Sequence, residues 1–300
     1  MKKNIIITGG NGQDAKILAN IIKKYQVNVL IKKKDNFLIK KNNISYSKID
    51  LLDYQKTLNH IKKMKPYAII HLASKNNSSN KKKLSYSVDY KNNLLMTKNL
   101  LYGIINYNKK IKFIFAGTSQ MFQKKIGVVN EKSKFKQTCF YSKYKIDSYK
   151  LIIKLKKYHK INASTAILFN HDSIYRNKKF LFPRIVNYLK SNELDKIREI
   201  HKENIYGDFS HAEDICCGII KLMNLKKMPN KIIFSSFKLT SVNKFIDIAL
   251  KYFKVKIKFK KYHDYKKNLL LGNNNFAKKK LKWVPKKNIS LAFKEIMKGT

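Results

Sequence analysis

Tyr141 and Lys145 stand four residues apart in Tyr141-Ser142-Lys143-Tyr144-Lys145, a spacing that puts both side chains on one face of a helix. A phenol beside an ammonium is a proton-transfer pair. The positive charge favours the phenolate and lowers the tyrosine pKa, so the hydroxyl can take or give a proton near neutral pH. Thr118, in the upstream stretch Thr118-Ser119-Gln120, offers a hydroxyl for the same substrate oxygen. Tyr-x-x-x-Lys is a weak signal by itself in a chain with 18 tyrosines, and Tyr149 and Tyr158 show how readily chance tyrosines arise. Its place in the chain, after a glycine loop and a fifth strand, gives it weight.

That loop is the second chemical feature. The chain has only 10 glycines, and Gly9, Gly10 and Gly12 fall together directly after the first apolar run. Thr8-Gly9-Gly10-Asn11-Gly12-Gln13-Asp14-Ala15 can turn tightly and bring amide N–H groups and a helix N-terminus against a pyrophosphate. An ordinary glycine turn is the competing reading, and the position between a buried strand and a helix favours the phosphate loop. Lys32-Lys33-Lys34 ends the second strand, where an NAD site would place a carboxylate for the ribose 2′-hydroxyl. Cations there suit a 2′-phosphate, so Lys32 and Lys33 point to NADP in preference to NAD. Asp50-Leu51, after the third strand, suits the adenine edge, or Asp50 caps the following helix; both can hold.

These residues need a frame that gathers strand ends. Apolar, β-branched runs at 4–8, 27–31, 44–48, 67–72, 111–116 and 161–168 read as strands. The stretches 13–25, 54–64, 84–107 and 138–158 between them are long enough for crossover helices. Such alternation predicts an α/β chain: a Rossmann-type doubly wound parallel sheet, binding its ligand at the carboxyl ends of the strands. After Leu168 the pattern loosens into helices at 180–190, 211–224, 242–253 and 290–297 and a strand at 231–234. The expected organisation is a nucleotide-binding domain over 1–168 and a smaller C-terminal substrate-binding lobe over 169–300, with elements returning to the main sheet.

Composition narrows the partners. Lys+Arg total 66 against 18 Asp+Glu, a formal net charge of +48, while 44% of the residues are hydrophobic, enough for a sizeable core. Charge of that size suits polyanions, yet lysine is spread from end to end and no helix-turn-helix, RNA-recognition or zinc signature accompanies it. Nucleic acid is therefore set below a small anionic ligand. Cys139, Cys216 and Cys217 form no C-x-x-C pair, which argues against a zinc site or a disulfide framework and for a reducing cytoplasm. No metal site and no membrane-spanning or export segment is expected.

In these residues the chain resembles the extended short-chain dehydrogenase/reductases that act on sugar nucleotides, and among them the GDP-mannose 4,6-dehydratases. Thr8-Gly9 through Asp14 looks like that family's TGxxGQD loop, and Lys32-Lys33 stand at its basic NADP pair. Asp50-Leu51 and Leu72-Ala73-Ser74 fall on its later cofactor strands. Ile167 to Ser173 followed by Arg176 is similar to its ILFNHES segment, where the resemblance assigns His171 and Arg176 to the cofactor and Asn170 to the substrate. The stretch from Asp208 to Asp214 resembles RDWxHAxD, and Ala277 to Pro285 resembles the C-terminal KAxxxLxWxP, with core packing as the alternative role for Trp283.

Four positions depart from the family, one of them Ala15 at the third loop glycine, which the helix tolerates. Gln120 stands where the dehydratases carry a glutamate base, and an amide cannot take a proton. Gly207 replaces an arginine, and His263, a substrate-side position by resemblance, stands where another nucleotide-phosphate arginine falls. The resemblance implies hydride abstraction from C4 of a nucleotide-linked hexose, a GDP sugar, by NADP⁺, then dehydration, in a homo-oligomer. Gln120 keeps a reductase or epimerase acting on a 4-keto sugar nucleotide in view. A polyanion-binding relative with a decayed site and a catalytically silent dinucleotide-binding subunit are the readings from other classes.

Overall fold

The computed structural model describes residues 2–31, 41–75, 83–122, 127–259 and 269–299. The elements run β1 (Asn4–Thr8), α1 (Gln13–Ile21), β2 (Gln26–Ile31), β3 (Ile44–Lys48), α2 (Tyr54–Met64), β4 (Ala68–His71), α3 (Lys83–Tyr107) and β5 (Lys112–Thr118). A 3-10 turn at Ser119–Met121 leads to β6 (Gly127–Val129), α4 (Phe140–His159), β7 (Ala163–Leu168) and β8 (Asn170–Asp172). Next come α5 (Leu181–Lys190), α6 (Leu194–Lys202), β9 (Tyr206–His211), α7 (Ala212–Asn224) and β10 (Lys231–Phe234). The chain finishes with β11 (Leu239–Ser241), α8 (Val242–Phe253), β12 (Leu270–Gly272), α9 (Asn275–Leu281) and α10 (Ile289–Gly299).

Two units divide the chain: residues 1–123, 133–168 and 216–232 form the first, and 124–132, 169–215 and 233–300 the second. The first holds a seven-stranded sheet in the order β10-β7-β5-β4-β1-β2-β3. From β3 across to β7 every neighbouring pair is parallel. Ile5, Ile6 and Ile7 are all fully buried, because helices cover both faces of a parallel sheet and the strand has no wet side. Strand order reverses between β1 and β4, and a crevice opens at such a switch point. Phe113, Phe115, Leu100, Leu101, Ile152 and Tyr144 build the core between the sheet, α3 and α4.

Several boundaries differ from the periodicity, each for a local reason. β4 stops at His71, one residue short of the apolar run, because the Thr8 hydroxyl captures the N–H groups of Leu72 and Ala73. α1 stops at Ile21, and Tyr25 instead stacks on Tyr67 and donates its hydroxyl to Asn224. The cap of α2 is Asp53, which accepts from Lys56 N at 3.0 Å; Asp50 accepts from Leu52 N in the turn before it.

The second unit has a three-stranded sheet in the order β11-β9-β8 and a parallel pair of β12 with β6. Phe182 centres its core, with ring centroids 5.0 Å from Phe209, 4.7 Å from Phe245 and 5.3 Å from Phe293. The buried carboxylate of Asp208 accepts from Ser236 N, Ser236 Oγ, Phe237 N and Gly272 N, tying β9 to β12 and to the turn before β11. Burial pushes its pKa up, while those hydrogen bonds pull the other way. Asp214 accepts from the amides of Lys286 and Lys287, and its carbonyl accepts from the Trp283 indole at 2.8 Å. Trp283 is 2% exposed, edge-on to Phe234, and packs in the core. Among the described residues, no helix is long and apolar enough to cross a membrane and no group of side chains could hold a metal ion.

Candidate active site

At the switch point of the first unit lies a cavity of about 540 Å³, walled at one end by Gly9, Gly10, Asn11 and Gly12. Asp50 and Leu51 after β3, and Leu72, Ala73 and Ser74 after β4, complete the part of the wall foreseen in the sequence. Thr8, Gln13 and Asp14 lie behind it, Thr8 fully buried and Gln13 5% exposed. The glycines are there for space. Gly9 sits at φ +82, where a Cβ would stand 2.9 Å from Ala73 N, and a Cβ on Gly10 would meet Ile31 at 2.6 Å and Val29 at 2.8 Å. The loop can follow this path, with α1 starting directly behind it, only because side chains are absent. Such a cradle, ending on a helix N-terminus, fits a pyrophosphate.

The rest of the wall was not foreseen. Lys75, Asp89, Asn93 and Met96 line the cavity from the β4 exit and from α3. Lys75 Nζ pairs with Asp89 at 3.0 Å, and the Asn93 side chain bonds both the N–H and the C=O of Lys75. Lys32, Lys33 and His263 lie outside the described residues.

The proton-transfer pair sits on the first turns of α4. Cys139 and Ser142 cap that helix reciprocally, the Cys139 Sγ accepting from Ser142 N and the Ser142 hydroxyl from Cys139 N, which sets Tyr141 in the first turn. Lys145 points inward, 2% exposed, and donates to Ala116 O of β5 at 2.6 Å. Its Nζ lies 4.8 Å from the ring centroid of Phe115, 4.9 Å from Tyr144 and 5.4 Å from Tyr141. Burial pushes the Lys145 amine down to about 7. Lys143, two residues away, makes an ordinary partly exposed pair with Asp147 at 2.8 Å, which raises its pKa.

Thr118 closes β5 and accepts from Gln120 N across the 3-10 turn at 3.4 Å, and α4 packs on that turn. Thr118, Gln120, Tyr141 and Lys145 therefore stand on abutting elements. Gln120 is exposed, and among the described residues its side-chain amide has no hydrogen-bond partner. Tyr144, fully buried, is the other tyrosine beside Lys145; burial, with Tyr141 nearby, pushes its phenol far up and removes it from proton transfer near neutral pH.

Beneath the glycine loop, His71 joins Thr8 to Thr97, with Nδ1 2.8 Å from Thr8 Oγ1 and Nε2 3.1 Å from Thr97 Oγ1. Burial, then the Lys145 charge, pushes His71 down to about 3. In the second unit, Asn170 and His171 belong to β8; Phe169 O accepts from His171 Nδ1 at 2.6 Å. Arg176 pairs with Asp172 at 2.8 Å and lies 3.6 Å over the Phe180 ring. A Cβ at Gly207 would come within 2.7 Å of the Phe209 ring, so β9 accepts glycine there at the expense of the arginine the family motif carries.

Comparison with known proteins agrees with this frame. A family model described as GDP-mannose 4,6 dehydratase matches residues 6–297. The GDP-mannose 4,6 dehydratase of Dictyostelium discoideum is 26% identical over 349 aligned positions, covering 99% of this chain and 94% of the relative. Among solved structures, dTDP-glucose 4,6-dehydratase from Bacillus anthracis in complex with NAD superposes with a TM-score of 0.81 at 16% identity, covering 99% of this chain and 96% of that one. RMD from Pseudomonas aeruginosa complexed with NADPH superposes with a TM-score of 0.78 at 14% identity, covering 99% and 98%.

Proposed function

The chain belongs to the GDP-mannose 4,6-dehydratase family of sugar-nucleotide enzymes, and on that premise we propose that it oxidises C4 of a GDP-linked hexose with NADP⁺ as the first half of a 4,6-dehydration. The observation that carries this reading is the amine of Lys145, buried under the Tyr141 ring and anchored on Ala116 O. An ammonium so placed favours the phenolate of Tyr141, which then takes the proton of the C4 hydroxyl. Thr118 hydrogen-bonds the same oxygen and holds it towards the phenol. A bound nicotinamide supplies the acceptor for the C4 hydride.

The cavity residues fit that dinucleotide. Gly9 to Gly12 and the start of α1 hold the pyrophosphate, Asp50 and Leu51 the adenine end, and Leu72 to Ser74 the opposite wall. Lys32 and Lys33 bind the 2′-phosphate and make the choice NADP. His171 and Arg176 serve the cofactor, and Asn170 and His263 the substrate, as the family motif supports. The protein acts as a homo-oligomer in the cytoplasm.

Gln120 favours a second reading. Elimination across C5 and C6 needs a base for the C5 proton, and an amide offers none. With the Tyr-Lys pair alone the protein would work at C4 only, as a reductase or epimerase of a 4-keto sugar nucleotide. Incubation with GDP-mannose and NADP⁺ separates the two. A 4-keto-6-deoxy product from the unaltered protein supports dehydration; product only after Gln120→Glu supports the second reading; none from either protein sinks the dehydration reading, and no turnover of a 4-keto-6-deoxy sugar nucleotide with NADPH sinks the second.

A further inference from the structure

We propose that His71 is a positioning residue for the dinucleotide loop: as the neutral Nε2–H imidazole it accepts the hydrogen bond of the Thr8 hydroxyl at Nδ1, leaving both lone pairs of that oxygen for the amides behind the cavity wall. This rests on reading the cavity as a nicotinamide-dinucleotide site.

Counting protons fixes the tautomer. Thr8 Oγ1 accepts from Leu72 N at 3.1 Å and from Ala73 N at 3.0 Å. A hydroxyl has two lone pairs and one hydrogen, so its remaining contact, 2.8 Å to His71 Nδ1, is the one it donates. His71 Nε2 then carries the ring proton to Thr97 Oγ1 at 3.1 Å, and Thr97 gives its own hydrogen to Asn93 O at 3.1 Å. Asn93 ends the string on the cavity wall, accepting from Lys75 N at 2.8 Å and donating to Lys75 O at 2.9 Å. Residues 72–75 are thus held at both ends, and they pass so close to Gly9 that no Cβ fits between.

His71 cannot be exchanged for solvent. It is 1% exposed, and the rings of Phe113 and Phe115 stand 6.0 Å and 5.8 Å away. Without an acceptor at the Nδ1 position, the Thr8 hydrogen has nowhere to go except towards the amides, and one of those bonds is lost. The wall then relaxes against the glycine loop. Dinucleotide affinity should fall while turnover at saturating cofactor stays, because His71 touches neither the loop's ligand face nor the Tyr141 ring.

Asparagine places its side-chain oxygen where Nδ1 lies; glutamine reaches only towards Nε2. Titrating wild type, His71→Asn, His71→Gln and His71→Leu with NADPH and with NADH, by nicotinamide fluorescence, tests the idea alongside thermal midpoints. His71→Asn should bind within about threefold of wild type and His71→Gln and His71→Leu about tenfold more weakly, with KM for cofactor moving and kcat holding. Should His71→Leu not fold, the Asn-against-Gln comparison decides. Equal binding by all four proteins, or His71→Asn no better than His71→Gln, overturns the proposal alone. Binding of neither dinucleotide by wild type overturns the cavity reading and this proposal with it.

Discussion

Lys145 is buried with one carbonyl and three aromatic rings around it, and its amine titrates at about 7 instead of 10.5. Its folded pKa lies below its unfolded one. Between about pH 7 and 10.5 the unfolded chain therefore binds more protons than the folded chain, and the contribution of Lys145 to stability rises with pH across that window. His71, held at about 3 against 6.5, follows the same sign lower down: its contribution is present above 6.5 and is lost as the pH falls towards 3. Denaturant unfolding of wild type and Lys145→Met checks the upper window. Wild type should gain on the variant between about pH 7 and about pH 10, and parallel pH dependences would contradict the assignment. Lys112 and Lys156 solve the same problem the same way, their amines donating to the carbonyls of Met223, and of Ala163 and Met228, at 2.9 Å.

At the scale of elements, one carboxylate closes the C-terminal region of the second unit. Asp214, in the first turn of α7, takes the amides of Lys286 and Lys287 just before α10. Asp214→Ala should cost about 1.5–3 kcal/mol in urea unfolding, because two part-buried amides lose a charged acceptor. Glu213→Ala, which removes a half-exposed pair with Lys287, should cost less than about 1 kcal/mol; equal losses would show that Asp214 is no latch. The elements of the first unit were legible because strands covered on both faces read as unbroken apolar runs, Ile5-Ile6-Ile7 most plainly. β8 and β9 were not, since their polar side chains, Asp208 and His211 among them, are buried by partners far along the chain and leave no alternation to read. α6 is absent from the sequence reading, although Leu194, Ile197 and Ile200 carry the helical spacing among its charged residues. The glycine loop and the Tyr141/Lys145 pair were readable from local spacing. Asn93, Asp89 and His71 were not: their roles arise where α3 crosses the exit of β4, and the clue is that Thr8 and His71 are register partners ending adjacent parallel strands.

At the scale of the whole molecule, the formal charge of +48 works against folding through self-repulsion while drawing anionic ligands in. Raising NaCl from about 0.1 M to about 1 M shortens the screening length from about 10 Å to about 3 Å, so the thermal midpoint should rise. A midpoint that falls with salt would mean that the lysines are stabilised by pairing more than they are strained by crowding. The chain also crosses between its two units five times, and Cys216–Ile232 returns to the first after the second has begun. No single cut separates them. The first unit and its companion cannot be shuffled as independent cassettes, a gene cut at residue 168 or 215 leaves the first without 216–232, and whatever selection acts on one unit's folding is inherited by both.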